Sequence, residues 1–397
     1  MSYAVQVTDK VHLITANDRR THLFENMWPL PNGISYNSYL INDEKVALLD
    51  TMEHGSADDY LDHIEEILQG KTVDYLIVNH MEPDHSGAMR EVVKRYPQVK
   101  IIGNIKTFKI IRAYFGYEDN LMEVADGDEL NLGSMNLKFV MTPWVHWPET
   151  MMTLETTKGI LFSGDAFGSF GTLDGGVFDD EIEFDDYYEE EMRRYFSNIV
   201  GKYSNMVQKA FKKLDGVTPG FVCPLHGPVW RENPGKVLEL YDKWSSYKTE
   251  DGVVIIFGSM YGNTERMADH IARKLSEQGI KKIRVYDASK THLSYLINEV
   301  WRYKGVILGS CAYNSSMLPT MEHFTRTMEH MSVKDHYLGL FGSYSWNGGG
   351  VKTLMKFAEK IDWELVDDPI EIKGIPTDEK LPACDKLARA MAEKIKK

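Results

Sequence analysis

Residues 79–85 read NHMEPDH and follow directly on the apolar run YLIVN. Four groups able to bind a metal, His80, Glu82, Asp84 and His85, fall within six positions. One such cluster is ordinarily a solvated loop, and a lone histidine is ordinarily a satisfied core residue. A recurrence farther along the chain changes that reading. His146 follows LKFVMTPWV, Asp165 follows GILFSG and His226 follows FVCPL. Each stands just past a run with strand character, and strand ends carry side chains on rigid supports at one edge of a sheet. Four imidazoles and three carboxylates are too many for one ion and suit two. If Asp165 bridges, His80, Glu82 and His146 fall to one ion and Asp84, His85 and His226 to the other. Alternate residues of an extended segment face the same way, so His80 and Glu82 can share an ion. Pro83 must then turn the chain to aim Asp84 and His85 elsewhere.

Outward from this cluster the chain divides. Its 397 residues favour two or three domains, and 43% hydrophobic with 26% charged residues is ordinary for a globular protein. The polar stretch WSSYKTEDG (244–252) follows a helical pattern, PGKVLELYDKW, and precedes a strongly apolar strand, VVIIFG. We place the boundary there, giving domains of residues 1–249 and 250–397. The first holds many short apolar runs with helices between some of them, which reads as α+β with sheets packed together and helices outside. In the second, the strand-like runs VVIIFG, IRVYDAS, GVILGS, YLGLFGS and WELVDDPIEIKG alternate with helical patterns. That alternation implies an α/β doubly wound, five-stranded parallel sheet, with its ligand beyond the carboxyl ends of the strands.

The turn GSMYGNTERMA (258–268) joins the first of those strands to its helix. Such a turn lets backbone N–H groups surround a phosphate at a helix N-terminus. Asn263 and Thr264 stand where a triphosphate-binding loop has Gly and Lys, which speaks against an NTPase. The spacing suits a flavin mononucleotide (FMN) phosphate held by neutral donors, Ser259, Met260, Tyr261, Gly262, Asn263 and Thr264. Two later strand ends, GSCAYN and GSYSWNGGG, supply Cys311, Ala312, Tyr313 and Asn314, then Ser343, Tyr344, Ser345, Trp346, Asn347, Gly348 and Gly349. Tyr313, Tyr344 and Trp346 are the candidate stacking partners for a flat ring.

The order His-x-Glu-x-Asp-His, then His, Asp and His at wide spacing, resembles the metallo-β-lactamase fold family, whose hydrolases usually show HxHxDH. Glu82 replaces the second histidine. With HWPETM around His146 and GDAFG around Asp165, the chain resembles the flavodiiron proteins, and the second half resembles flavodoxin. A carboxylate makes the site harder and favours oxygen-reactive iron over hydrolytic zinc. The resemblance implies a metallo-β-lactamase-like αββα sandwich followed by a flavodoxin-like domain. It implies two irons, held by His80, Glu82 and His146 and by Asp84, His85 and His226, bridged by Asp165 and an oxo or hydroxo group. The position of His85 is not a ligand in every member, where water replaces it. Tyr195 aligns with a pocket tyrosine of relatives, and Trp147 is pocket wall or core.

A diferrous pair and reduced FMN each hold two electrons. Oxygen needs four to become water, and two nitric oxide molecules need two to become nitrous oxide and water. Cys223, Cys311 and Cys384 form no CxxC, so an iron–sulfur or rubredoxin module within this chain is excluded. The resemblance therefore implies a separate donor, rubredoxin or another reduced carrier. It also implies a head-to-tail homodimer, able to assemble into a homotetramer, in which one subunit's FMN lies beside the other's irons. A net charge of −14 argues against nucleic acid or an anionic membrane as partner. The opening MSYAVQVTDK has no signal-peptide pattern, and a cytoplasmic location is expected. The alternative reading is a binuclear zinc hydrolase of metallo-β-lactamase type with an appended flavodoxin module.

Overall fold

A computed structural model describes residues 2–396. The chain divides into two compact units, the first ending at Ser246 and the second beginning at Tyr247. The helix Pro234–Ser245 ends the first unit and the strand Glu250–Gly258 opens the sheet of the second.

The first unit is built on two sheets. One runs in the order Ser2–Gln6, Val11–Asp18, Ile34–Asn42, Val46–Leu49, Tyr75–Ile77, Lys100–Gly103 and Leu121–Glu123. Its first four strands pair antiparallel and its last three join in parallel. Parallel pairing needs crossovers, which the helices Ala57–Leu68, Met89–Arg95 and Ile105–Phe115 supply. Helix Ala57–Leu68 buries Tyr60, Leu61, Ile64 and Leu68 at helical spacing and stops where Gln69 turns left-handed at φ 48°. Asn104 opens the third helix by accepting from the N–H groups of Lys106 and Thr107.

Adjacent residues of these strands serve opposite layers. Leu48, Leu76 and Ile101 pack on the helices, while Leu49, Ile77 and Ile102 face the second sheet. Both faces are buried, so the strands read as continuous apolar runs instead of alternating. The second sheet runs Glu129–Asn131, Asn136–Met141, Met151–Glu155, Ile160–Phe162 and Phe221–Cys223. Leu137, Phe139, Phe162 and Cys223 from this sheet complete the core between the layers. The αββα sandwich is the architecture expected.

The second unit is the expected doubly wound sheet. Its order is Ile283–Asp287, Glu250–Gly258, Tyr303–Tyr313, Tyr337–Tyr344 and Glu364–Leu365, all parallel. The order reverses between the strands at 250 and 303, which puts the switch point at their carboxyl ends. The last expected strand, WELVDDPIEIKG, is split. Glu364–Leu365 and Ile370–Lys373 both pair with Tyr337–Tyr344, on either side of Pro369. Proline lacks the N–H the ladder needs there. Among the described residues no helix is long and apolar enough to cross a membrane.

Candidate metal centre and flavin pocket

The NHMEPDH loop is held from behind by Asp50. Its carboxylate accepts from Asn79 N (2.8 Å), His80 N (3.0 Å) and Asn79 Nδ2 (3.0 Å). Burial dominates and pushes Asp50 up to about 6 against these donors. Thr153 Oγ1 donates to Asn79 Oδ1 and Met151 N to the Asn79 carbonyl, tying the loop to the second sheet. Glu82 is extended (φ −59°, ψ 142°), and Pro83 opens the single helical turn Pro83–Ser86 that carries Asp84 and His85. The turn at proline thus separates the two pairs of donors.

All seven donors converge, in two groups: His80, Glu82, His146 and Asp165, and Asp84, His85 and His226. In the first, Glu82 Oε2 lies 3.2 Å from His80 Nε2 and 3.0 Å from His146 Nε2. Asp165 is divided between the groups. Its Oδ2 is 3.1 Å from His146 Nε2, and its Oδ1 is 3.0 Å from His85 Nε2. Asp84 Oδ2 stands 3.3 Å from His85 Nε2 and 3.4 Å from His226 Nε2, and these two nitrogens are 3.0 Å apart. Ligands about 2.1 Å from one ion at right angles stand about 3 Å apart, so the spacing fits metal binding. The buried Asp84 oxygens have no hydrogen-bond partner among the described residues, as ligands waiting for a cation would show.

The electrostatics agree. Burial, the largest influence, opposes charge on His80, His85, His146, Glu82 and Asp165. The Asp165 charge nevertheless holds His80 well above its ordinary value, and hydrogen bonds to Asp165 and Glu82 carry His146 up to about 9. Asp165 and Glu82 are held below the usual carboxylate range by the facing imidazoles. Positive charge is what this centre demands, and metal ions deliver it while displacing the protons.

Outer groups fix the rings. His80 Nδ1 donates to Glu149 Oε1 (2.9 Å), which also accepts from Met81 N (3.0 Å). His226 Nδ1 donates to the Ser35 carbonyl (2.8 Å). Each bond leaves an Nε2 lone pair facing the centre. The Tyr195 ring lies 5.4 Å from that of His226, and its buried hydroxyl has no hydrogen-bond partner among the described residues. Trp147 presents its ring at 89° to His80, 5.3 Å away. Sequence reasoning missed Glu149, Asp50 and Glu25. Glu149 lies within HWPETM, the same stretch that marked His146. Glu25 turns its carboxyl toward Glu82 from the hairpin Leu23–Phe24 and Trp28–Pro29, held by Trp28 Nε1 at 3.0 Å. Burial and the Glu82 charge push it up to about 7.

In the second unit a cavity of about 360 Å³ opens at the switch point. Ser259, Met260, Tyr261 and Asn263 line it from the first loop. Cys311, Ala312 and Asn314 follow from the second, with Ser315, which the sequence reading did not include. Ser343, Tyr344, Ser345, Trp346 and Asn347 close the third side. Gly262, Thr264, Tyr313, Gly348 and Gly349 do not line it. Thr264 instead sits buried beneath, its Oγ1 2.9 Å from Ser343 Oγ. Gly349 (φ +148°) lets the chain pass where a Cβ would come within 2.4 Å of the Ser315 backbone. Neutral donors at the start of the helix Asn263–Glu277 suit a phosphate. Tyr261 and Trp346, 92% and 82% exposed, leave aromatic faces open at the mouth, as a bound isoalloxazine would use. The residues present fit FMN.

Residues 34–227 match the ODP family beta lactamase and residues 255–386 match flavodoxin. The chain is 33% identical over 365 residues to an uncharacterized protein of Methanocaldococcus jannaschii, covering 91% of this chain and 92% of that one. It is 30% identical over 395 residues to the anaerobic nitric oxide reductase flavorubredoxin of Escherichia coli, covering 98% and 82%. The rubredoxin oxygen:oxidoreductase of Desulfovibrio gigas superposes with a TM-score of 0.95 at 28% identity, covering 99% of each chain. The chain belongs to the flavodiiron protein family. It is an oxidoreductase whose two cofactors are a non-haem di-iron pair and FMN.

Proposed function

We propose that this enzyme reduces O2 to water, NO to N2O, or both, with electrons passed through FMN from an external donor such as rubredoxin. The observation that carries the reading is the division of Asp165 between two groups of donors, which makes one binuclear centre of them. In this reading His80, Glu82 and His146 hold one iron, Asp84, His85 and His226 the other, and Asp165 bridges. Bound there, the irons and the flavin supply the reductive chemistry that no side chain supplies.

The protein's own residues set the terms. Glu149 and the Ser35 carbonyl keep the Nε2 atoms of His80 and His226 aimed inward. Glu82 makes the donor set harder than an all-imidazole one, which favours iron over zinc. The buried Tyr195 hydroxyl is placed to donate a hydrogen bond to a guest beside His226, and Trp147 walls the His80 side. The three loops at the switch point hold FMN, with Ser259 and Asn263 toward the phosphate and Tyr344 and Trp346 toward the ring. The exposed Tyr261 and Trp346 support a homodimer that covers the flavin's open edge, head to tail, with each flavin serving its partner's irons. The two relatives named for a reaction are redox proteins, which leaves the zinc-hydrolase alternative without support.

The test is anaerobic consumption of NO, and separately of O2, by protein carrying iron and FMN and reduced by a defined donor. Turnover of at least one gas is expected. Zinc as the native metal, with no gas consumed, would overturn the reading.

A further inference from the structure

We propose that the hairpin of residues 23–29 is a cover over the binuclear centre, seated by Phe24 and Glu25, that keeps the metals in and larger molecules out. This role needs the centre proposed above, whichever gas is reduced there. The hairpin belongs to neither sheet of the sandwich. Its two-residue strands, Leu23–Phe24 and Trp28–Pro29, form a small sheet of their own. A two-stranded hairpin is at best marginally stable alone in water, so this one is held by what it packs on.

What it packs on is the open side of the centre. Exposed surface remains on Asp84, Glu82 and His146, at 12, 9 and 7% of the side chain, and on none of the other four donors. Glu25 turns its carboxyl toward Glu82, with His146 beside it. Phe24, itself buried, sets its ring edge-on to His226, 5.6 Å away at 89°, and 5.7 Å from Phe170. Two adjacent residues of one hairpin thus reach both groups of donors. The Pro29 carbonyl accepts from Arg194 Nη1 at 2.9 Å, which tethers the base. Leu23 and Met27, on the outside, are exposed. The turn 24–27 adds an independent sign. It is closed by Met27 N donating to the Phe24 carbonyl at 2.9 Å, and it holds Glu25 and Asn26 left-handed, at φ 49° and 55°. Turns of this hand favour Asn, Asp or Gly at both places, which Asn26 satisfies and Glu25 does not. A glutamate in that conformation works against the turn, and what it provides instead is reach toward Glu82.

The test follows iron out of the protein and back in. The iron- and FMN-loaded protein is mixed with bathophenanthroline disulfonate, a bulky chelator of ferrous iron, and metal-free protein is reloaded with ferrous iron. Asn26→Val puts a β-branched side chain at a left-handed place in the exposed turn and removes nothing that faces the metals. Both rates are expected to rise about tenfold with iron affinity unchanged, because a cover alters passage and not the bound state. Should that variant fail to fold, Asn26→Ala strains the turn less and in the same direction. Glu25→Asn suits the turn better than glutamate yet gives up the reach to Glu82. Iron is expected to leave it roughly threefold faster or more, whereas a residue serving the turn alone would make iron leave no faster. Unchanged rates in a folded Asn26 variant overturn the cover, and so does a faster loss matched by a fall in affinity. Iron loss no faster in Glu25→Asn overturns the seat. If the unmodified protein consumes neither gas, the proposed function fails, and the iron rates still decide the cover.

Discussion

Buried histidines in the two units are pulled in opposite directions. Burial alone would lower His146, yet Asp165 and Glu82 carry it up to about 9. His336, buried in the second unit with its ring between the carbonyls of Lys334 and Val300, is held below its ordinary value because there burial wins. The first unit gathers titratable side chains from four separate stretches of chain into a largely buried site, which is costly without a cation. The second builds its pocket from neutral side chains and backbone on three loops, open at the mouth and satisfied without a guest. One site demands its cofactor, and the other merely fits it. Removing metal should therefore destabilise the first unit, while removing flavin should leave the second folded.

The largest expected effect is at the shared carboxylate. Asp165→Ala takes one oxygen from each of the two groups of donors and leaves His85 and His146 facing one carboxylate fewer. Iron content should fall to near zero and gas consumption by roughly a thousandfold or more, with the flavin spectrum unchanged. Parallel loss of flavin would break the independence of the two sites. Next comes Glu149→Ala, which frees the His80 ring without touching a donor. A fall in iron affinity of about 10–100-fold, read by chelator competition, is expected. An unchanged affinity would mean that the ring is held by packing alone.

In the second unit Gly349→Ala asks for a Cβ within 2.4 Å of the Ser315 backbone. The loop carrying Trp346 and Asn347 must then shift, at a cost of about 1–3 kcal/mol. Flavin affinity should weaken by roughly tenfold or more, measured by fluorescence on release, with iron content intact.

The comparison also explains what the sequence could reveal. The seven donors were legible because charged residues after apolar runs stand out against strands buried on both faces. Glu149 was not, because what it does depends on an imidazole 69 positions away. The Ser35 carbonyl had no signature at all, since backbone atoms are common to every residue. Asp50 ends the run KVALLD as visibly as Asp165 ends its own, but only the fold shows that its carboxylate turns back to grip N–H groups. In the flavin pocket, the glycines that looked like ligands, Gly262 and Gly349, shape the loops from outside the cavity. The split of the last strand at Pro369 was readable from proline chemistry, yet the apolar pattern on either side suggested continuity.

The smallest effect sharpens the histidine contrast. With its folded pKa below the unfolded value of about 6.5, His336 binds its proton more weakly in the native state than in the unfolded chain. Its contribution to stability is therefore complete above about pH 6.5 and is lost as pH falls below that value, with a slope of at most about 1.4 kcal/mol per pH unit. His336→Gln keeps a side chain able to reach one carbonyl and removes the titration. Urea unfolding between pH 7.5 and 5.5, followed by a signal confined to the second unit, should show the native protein losing more stability than the variant. A smaller loss in the native protein than in the variant would mean that the two carbonyls, at 2.6 and 2.7 Å, hold both ring N–H groups in the folded state. His336 would then be a buried cation, and the opposition between the units would vanish.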